Sequence, residues 1–252
     1  METITHLKDW RALRASPDWA TSTIGLVPTM GALHAGHLSL LGRARAENQR
    51  VVLTIFVNPT QFNDPNDLDS YPRTLEDDIA LAQPHVDAVF APTTEEFYRE
   101  GYRYRVTESE LSRRWEGAHR PGHFDGVLTV VLKLFNAVQP QRAYFGEKDW
   151  QQLQLVRGMV EAFLLPVEIV ACPTVRDADG LALSSRNRQL SQLGRAHAAE
   201  FPRALRNARD AASAAANLKV RGFEVDYVED HAGMRLGAVR IDGVRLIDSV
   251  RL

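Results

Sequence analysis

Two histidines and two glycines stand close together in residues 28–37, which read Pro-Thr-Met-Gly-Ala-Leu-His-Ala-Gly-His. His34 and His37 are three residues apart and can donate N–H hydrogen bonds to phosphoryl oxygens. Gly31 and Gly36 carry no Cβ, so the backbone can approach a ligand closely there. The pattern predicts a phosphate-binding turn. The alternative, a glycine-rich turn with two surface histidines, is the ordinary explanation for one histidine and a weaker one for this spacing.

Two later segments carry groups that suit a polyphosphate. Residues 145–152 read Phe-Gly-Glu-Lys-Asp-Trp-Gln-Gln, where Lys148 can neutralise phosphate as a point charge. Asp149 can cap a helix, accept from a ribose hydroxyl or help to hold Mg²⁺ through water. Residues 179–187 read Asp-Gly-Leu-Ala-Leu-Ser-Ser-Arg-Asn, where Arg186 follows two hydroxyls. The ordinary alternatives are a solvated Glu-Lys pair and a serine helix cap.

Three shorter segments are less specific when each is taken alone. Residues 56–62 read Phe-Val-Asn-Pro-Thr-Gln-Phe and place the amide of Gln61 just beyond two apolar residues. Tyr-Pro-Arg follows at residues 71–73, and Arg-Pro-Gly-His-Phe occupies residues 120–124. Ordinary turn chemistry explains such residues equally well, because Asn, Pro and Gly are routine in loops.

The elements that must position these groups alternate along the chain between short apolar runs and longer amphipathic ones. This alternation predicts an α/β fold with a parallel sheet, helices on both faces and ligands at the carboxyl ends of the strands. A phosphate at such an edge also meets the positive end of a helix dipole. The predicted strands are 23–28, 50–57, 87–91, 142–146 and 167–171, and the predicted helices are 37–47, 74–83, 125–138 and 149–163.

The character of the sequence changes after Arg186. Residues 191–216 are rich in alanine and arginine and are typical of helix, with Pro202 expected to start, end or kink one. Strand-like runs follow at 223–228 and 239–247, around an Asp-Gly turn at residues 242–243. We therefore predict a large domain over residues 1–186 and a smaller α+β domain over residues 187–252.

Composition limits the classes of function. Among 252 residues the formal net charge is -2, so the chain lacks the excess of basic residues that is typical of nucleic-acid-binding proteins. No apolar run approaches the roughly 20 residues of a membrane helix, and we see no secretory signal. Cys172 is the single cysteine, so an internal disulfide is excluded and a reducing cytoplasm is favoured. We expect Cys172 to be a small buried residue at a strand end, and a nucleophilic role is the alternative.

Taken in order, the six segments between about Gly25 and Asn187 closely resemble the pantoate–β-alanine ligase family, and a fainter match returns at residues 244–248, Val-Arg-Leu-Ile-Asp. The resemblance implies a Rossmann-like nucleotidylyltransferase fold and a cytoplasmic, Mg²⁺-dependent homodimer. It also implies two half-reactions. The carboxylate of pantoate attacks ATP to give pantoyl adenylate and pyrophosphate, and the amine of β-alanine then displaces AMP.

The resemblance further implies roles for individual residues. Catalytic roles fall to His34, His37, Lys148 and Arg186. Gln61 and Gln152 are expected to bind pantoate. Mg²⁺ is expected to come with ATP, near Asp149. The ATP-binding residues, in chain order, are Met30, Gly31, His34, Gly36, His37, Gly146, Lys148, Asp149, Val175, Leu183, Ser184, Ser185 and Arg186.

This chain departs from the family pattern in two ways. Thr60 and Trp150 stand where the family usually has other side chains, which predicts local effects only. The C-terminal domain is shorter than the family leads us to expect, between about Ala211 and Val239. Two other functions remain open at this point: another adenylyl-transferring enzyme of the same fold, and a non-catalytic ATP-binding module.

Overall fold

The computed structural model describes the whole chain, Met1–Leu252. Proximity of Cα atoms divides it into two compact units. The first unit comprises Met1–Leu33, His37–Phe145 and Gln151–Cys172, and the second comprises His34–Gly36, Gly146–Trp150 and Pro173–Leu252. The division predicted from sequence, 1–186 and 187–252, draws the boundary later and stays a prediction.

The first unit is built on a six-stranded sheet with the order β1-β4-β3-β2-β5-β6. The pairs β1–β4, β4–β3, β3–β2 and β2–β5 are parallel. Strands β2 to β4 consist mostly of Val, Ile, Leu and Phe, and nearly every residue in them is buried, as expected for strands covered on both faces. The strands are β1 (Glu2–Ile4), β2 (Ile24–Thr29), β3 (Arg50–Ile55), β4 (Ala88–Phe90), β5 (Arg142–Gly146) and β6 (Glu168–Cys172).

Nine α-helices accompany this sheet along the chain. The apolar residues of the longest recur at helical spacing, and eleven of its sixteen residues are buried, so it is a core helix as predicted. The helices are α1 (Leu7–Arg14), α2 (Pro17–Ala20), α3 (Ala35–Glu47), α4 (Pro65–Asp69), α5 (Leu75–Ala82), α6 (Thr94–Phe97), α7 (Glu116–His119), α8 (His123–Val138) and α9 (Trp150–Ala162).

The five strands and four helices predicted for this part of the chain are all present, with ends displaced by at most two residues. Cys172 is the last residue of β6 and is buried, as expected. Strand β1 was not predicted, because three residues with only Ile4 buried show no alternation. No helix of the protein combines the length and the apolar character that crossing a membrane requires.

The second unit contains a three-stranded antiparallel sheet, β7-β8-β9, and three further helices. The strands are β7 (Glu224–His231), β8 (Met234–Ile241) and β9 (Val244–Arg251), and the helices are α10 (Gln192–Ala198), α11 (Glu200–Asn207) and α12 (Ala211–Val220). The α+β prediction for the C-terminal part is confirmed, as is Pro202 in the first turn of a helix.

The turn predicted at Asp242 and Gly243 is confirmed. Its φ angles of 52° and 74° reverse the chain, so the run 239–247 contributes to both β8 and β9. A second turn of the same kind, at Ala232 and Gly233, has φ angles of 49° and 75° and joins β7 to β8. That turn was missed because an alanine takes the first left-handed position, where Asn or Asp would have been the expected signal.

Candidate active site

The strand order of the parallel sheet reverses between β2 and β5. In open α/β sheets, ligands bind beside the carboxyl ends of the strands at such a point. The predicted phosphate-binding turn follows β2 along the chain, and Glu147, Lys148 and Asp149 follow β5. The sheet topology therefore places the segments after β2 and β5 where a ligand is expected to bind.

A buried carboxylate holds the turn that follows β2. Asp78, on α5, is 1% exposed. Its two oxygens accept from the backbone N–H groups of Ala32 at 2.9 Å and Leu33 at 2.7 Å, and Thr74 Oγ1 donates to it at 3.1 Å. Gly31 has a φ of +85°, and a Cβ there would lie 2.9 Å from Asp78 Oδ2. This glycine is therefore required by the packing of the turn on Asp78.

His34 caps the first turn of α3. The backbone N–H of Gly36 donates to His34 Nδ1 at 3.1 Å. A neutral imidazole that accepts at Nδ1 carries its proton on Nε2, so His34 presents an N–H donor from its other edge. A Cβ on residue 36 would lie 2.8 Å from His34 Cε1, so glycine leaves space for the ring. The space that Gly36 leaves is taken by the His34 ring, and the predicted close approach of a ligand to Gly36 stays a prediction.

The surroundings of His34 keep it neutral. Burial, together with the positive charges of Lys148 and Arg188, lowers its pKa from 6.5 to about 4, against an opposing effect of Asp149. All four residues belong to the second unit. Near neutral pH, His34 is therefore an uncharged hydrogen-bond donor beside cations, which suits an anionic ligand.

The segment from Pro173 to Gln189 folds back on itself. Ala182 bridges to Arg176, and the backbone N–H of Leu183 donates to the carbonyl oxygen of Val175 at 3.0 Å. Ser184 Oγ then accepts from the backbone N–H of Arg186 at 3.3 Å and caps a short 3-10 helix, Ser185–Gln189. The helix-cap alternative for the serines is therefore real for Ser184. The cap also fixes the backbone at Arg186.

Several residues of this segment line a small pocket in the second unit. Among the lining residues are Lys148, Ser184, Arg186 and Asp248. The pocket brings together two cations and a hydroxyl that were predicted to bind ATP from separate parts of the sequence.

In the first unit, Gln61 lies in a buried network of neutral groups. Asn58 Nδ2 donates to Gln61 Oε1 at 3.1 Å, so the amide nitrogen of Gln61 is directed away from Asn58, and it lies 3.1 Å from Met30 Sδ. Tyr98 Oη donates to Asn58 Oδ1 at 2.9 Å and fixes the Asn58 amide in turn. Burial raises the pKa of Tyr98 to about 12, so this donor keeps its proton.

The backbone at Gln61 is fixed as well. His123 Nδ1 donates to the Gln61 carbonyl oxygen at 2.8 Å. Helix α8 approaches this turn so closely that a Cβ on Gly126 would lie 2.5 Å from the carbonyl oxygen of Thr60 and 2.8 Å from Gln61 Cα. The loop at 120–124 therefore supports Gln61 through His123.

The two adjacent glutamines of α9 have different environments. Gln151 is buried, donates to the carbonyl oxygens of Leu111 and Arg114 at 2.7 and 2.8 Å, and accepts from the backbone N–H of Glu116 at 3.1 Å. Its amide is committed to holding that loop. Gln152 is half-buried in the first turn of α9, so it is the member of the pair with the greater solvent access.

The remaining predicted residues lie in the same segments. His37 is half-buried in the first turn of α3, and Gly146 is the last residue of β5. Met30 contacts Gln61 within the first unit, so a residue predicted for ATP touches one predicted for pantoate. Ser185 begins the short 3-10 helix.

Sequence reasoning missed four residues that shape these sites: Asp78, Asn58, Tyr98 and Arg188. Asp78 is one of three consecutive acids in the first turn of α5, and nothing in the pattern distinguishes the buried one. Asn58 stood in a quoted segment as a turn residue. Arg188 follows Arg186 by two residues, and a second arginine in the same segment is a signal that could have identified it.

No group of three His, Cys, Asp or Glu side chains in the protein is arranged to hold a metal ion. Asp149 lies near His34, Lys148 and Arg188, where cations outnumber the single carboxylate. The side chains present do not fit a resident Mg²⁺ site.

Comparison with known proteins identifies one family. A family model described as pantoate-beta-alanine ligase matches residues 1–251. A pantothenate synthetase of Bdellovibrio bacteriovorus is 55% identical over 233 residues, which cover 92% of this chain and 93% of the relative. One from Legionella pneumophila is 47% identical over 255 residues, which cover both chains completely. The length between Ala211 and Val239 therefore does not set this chain apart from its whole family.

Solved structures give the same result. A pantothenate synthetase of Thermus thermophilus has a TM-score of 0.92 and 46% identity, covering 100% of this chain and 99% of the other. A pantoate-beta-alanine ligase of Francisella tularensis, complexed with beta-gamma ATP and beta-alanine, has a TM-score of 0.94 and 39% identity, covering 100% and 97%. The predicted Rossmann-like fold is confirmed, and the chain, a ligase, belongs to the pantoate–β-alanine ligase family.

Proposed function

We propose that the protein condenses pantoate with β-alanine at the expense of ATP, through a pantoyl adenylate, and releases pantothenate, AMP and pyrophosphate. The observation that carries this proposal is the environment of His34. The His34 imidazole is neutral and accepts a hydrogen bond at Nδ1 from the backbone N–H of Gly36, so its proton is on Nε2. It lies beside Lys148 and Arg188 in the second unit. Such a set of preorganised donors is suited to a polyphosphate whose charge is redistributed during reaction.

In the first half-reaction, a carboxylate oxygen of pantoate bonds to the α-phosphorus of ATP. The bond from the α-phosphorus to the oxygen that bridges it to the β-phosphate breaks, and pyrophosphate leaves with that electron pair. His34, His37, Lys148 and Arg186 donate to the phosphate oxygens and stabilise the charge on the leaving group. Nothing in this step requires a side chain to gain or lose a proton.

Gln61 and Gln152 bind pantoate. Neutral amides suit this role, because a cation paired with the attacking carboxylate would lower its nucleophilicity. The Gln61 amide offers N–H donors rather than its oxygen, since Asn58 occupies the oxygen. Two N–H donors can hold a hydroxyl or a carboxylate oxygen of pantoate in line with the phosphorus.

The rest of the nucleotide site is drawn from the segments described above. Backbone and side-chain contacts to ATP come from Met30, Gly31, Gly36, Gly146, Asp149, Val175, Leu183, Ser184 and Ser185. In the second half-reaction the amine of β-alanine bonds to the acyl carbon of the adenylate. The bond from that carbon to the phosphate oxygen breaks, AMP leaves, and the nitrogen loses a proton to water.

We further propose that ATP acts as its Mg²⁺ complex, that the protein is cytoplasmic and that it forms a homodimer. These statements are supported by family membership. The absence of a side-chain cluster for a metal supports an ion held mainly by phosphate oxygens rather than by the protein.

The test is an assay of AMP and pyrophosphate release with ATP, pantoate and β-alanine, each omitted in turn. We expect AMP to require all three substrates, and pyrophosphate to form with ATP and pantoate alone. The His37→Ala variant should lose on the order of 10²–10³ in rate of pyrophosphate formation, the usual cost of one preorganised donor. AMP release that does not depend on pantoate would overturn the proposal.

A further inference from the structure

Two adjacent residues of β9, Asp248 and Ser249, connect two phosphate-binding segments of the second unit, Asp248 through Arg176 and Ser249 directly. The Asp248 side chain is 1% exposed. Its oxygens accept from Arg176 Nη1 at 2.7 Å and Nη2 at 3.0 Å, a paired arrangement that fixes the guanidinium plane. Arg176 also donates to the carbonyl oxygens of Gly180 and Ser249, both at 3.2 Å. The fold of the segment that carries Ser184 and Arg186 is thereby attached to β9.

Ser249 reaches the other segment. Its hydroxyl lies 2.6 Å from the carbonyl oxygen of Glu147, to which it donates, and 3.2 Å from that of Lys148. Its own backbone N–H donates to Asp248 Oδ1 at 2.8 Å. The backbone on both sides of the Glu147–Lys148 peptide is therefore held by a side chain that is 4% exposed.

From these contacts we infer that Asp248, Ser249 and Arg176 are positioning residues of the reaction. They hold Lys148 and the Ser184–Arg186 segment in one fixed relation, although none of the three needs to touch a substrate. The inference rests on the proposed function, since it assigns Lys148 and Arg186 to ATP. The faint family match at residues 244–248 ends on Asp248, and this role accounts for that aspartate.

The chemistry of the arrangement favours positioning over general stability. A phosphate site that gathers Lys148, Arg186 and Arg188 brings like charges together, and repulsion between them must be resisted before the ligand arrives. Asp248 neutralises Arg176, to which both of its oxygens are hydrogen-bonded. Removal of one buried donor such as the Ser249 hydroxyl loosens a single turn without removing apolar packing.

The protein offers a matched control in the same sheet. Arg235 Nε and Nη2 donate to Asp230 at 2.7 and 2.9 Å, and the Arg235 side chain is 1% exposed. Arg235 also donates to the carbonyl oxygens of Leu205 and Ala208, which belong to α11 and its C-cap. This second pair has the same paired chemistry but holds no phosphate-binding segment.

The experiment compares Ser249→Ala, Ser249→Thr, Asp248→Asn and the control Asp230→Asn in the full chain. For each variant, the measurements are kcat, the KM values for ATP and pantoate, and the urea midpoint. We expect Ser249→Ala to raise the KM for ATP about three- to tenfold, the effect of one net hydrogen bond. The KM for pantoate should stay within about twofold, and Ser249→Thr, which keeps the hydroxyl, should recover most of the loss.

Asp248→Asn should raise the KM for ATP on the order of tenfold or more, because it weakens a charge-assisted pair. Asp230→Asn should lower the urea midpoint with the KM for ATP unchanged. A further readout is the His34 pKa measured by NMR, which should rise in Ser249→Ala if Lys148 moves away. If Asp248→Asn does not fold, the two Ser249 variants decide.

The inference is overturned if Ser249→Ala keeps the wild-type KM for ATP and His34 pKa. It is also overturned if Asp230→Asn changes the KM for ATP as much as Asp248→Asn does, since a general stability effect would then suffice. These outcomes differ from failure of the proposed function, which would show as no pantothenate formation by the unmodified protein.

Discussion

The two predicted substrate sites differ in charge and in burial. Around Gln61, in the first unit, the groups are neutral and buried: Asn58 is 1% exposed and Gln61 is 8% exposed, and they are joined by amide and hydroxyl hydrogen bonds. The site around His34, in the second unit, is cationic and half-exposed, with Lys148 and Arg188 as its neighbours. The first arrangement fixes orientation, and the second supplies charge.

The difference teaches how one enzyme can treat two anions differently. Under the proposed function, pantoate must keep its carboxylate reactive, and a neutral site would orient it without an opposing charge. ATP must lose pyrophosphate, and a cationic site would place positive charge where negative charge accumulates. Changing the charge of the cationic site should lower the rate of pyrophosphate formation, and adding a charge to the neutral site should raise the KM for pantoate.

The largest effect is expected on the cationic side. Lys148→Gln removes the charge with little change of length, and we expect kcat/KM for pyrophosphate formation to fall on the order of 10²–10³. The control Lys219→Gln makes the same change on the exposed face of α12 and should leave the rate unchanged. Equal rates for the two variants would show that Lys148 is not part of the phosphate site.

The neutral site is tested by giving it a charge. Gln61→Glu keeps the shape of the side chain but replaces an N–H donor with a carboxylate, which repels the carboxylate of pantoate. We expect the KM for pantoate to rise by about 10², since a like-charge contact and a lost donor combine, while the KM for ATP changes much less. Gln83→Glu, at the exposed end of α5, is the matched control. A dominant change in the KM for ATP would mean that the two sites were exchanged.

The two sites also differ in how far the sequence predicted them. The residues predicted to meet phosphate lie in short segments, and those segments were selected because they repeatedly follow apolar strands. Alternation of apolar runs likewise predicted five of the six strands of the parallel sheet. These features depend on residues that are close together in the chain, so the order and spacing of residues predict them.

The supporting contacts were not predicted, because they join residues far apart in the chain. Asp78 accepts from a turn 45 residues earlier, and Tyr98 donates to a residue 40 positions away. Only the fold brings such partners together, and an Asp among other acids or a Tyr in a charged stretch has no distinctive pattern. For the same reason, the sequence did not show which of the adjacent residues Gln151 and Gln152 is buried.

An intermediate effect is expected from overfilling the contact behind Gln61. In Gly126→Ala the new methyl would lie 2.5 Å from the carbonyl oxygen of Thr60, so the turn that carries Gln61 must shift. We expect the KM for pantoate to rise about tenfold and the free energy of unfolding to fall by about 1–3 kcal/mol. Gly158→Ala, in the exposed part of α9, meets nothing within 4 Å and should stabilise by about 0.5–1 kcal/mol. A neutral effect of Gly126→Ala on pantoate would separate this contact from substrate binding.

The smallest effect concerns protonation rather than rate, and it tests the cationic site at His34 directly. The pKa of His34 is lowered from 6.5 to about 4 by burial and by Lys148 and Arg188. Because the unfolded chain binds a proton at His34 between these values and the folded protein does not, His34 makes the free energy of unfolding fall as pH drops from about 6.5 toward 4. In His34→Gln this part of the pH dependence should be absent. An NMR titration of the His34 ring should give a pKa near 4 without ligand and a higher one when a nucleotide places its negative charge nearby. An ordinary pKa near 6.5 in the free protein would show that His34 is not held among cations, and the contrast between the two sites would then rest on Lys148 and Arg186 alone.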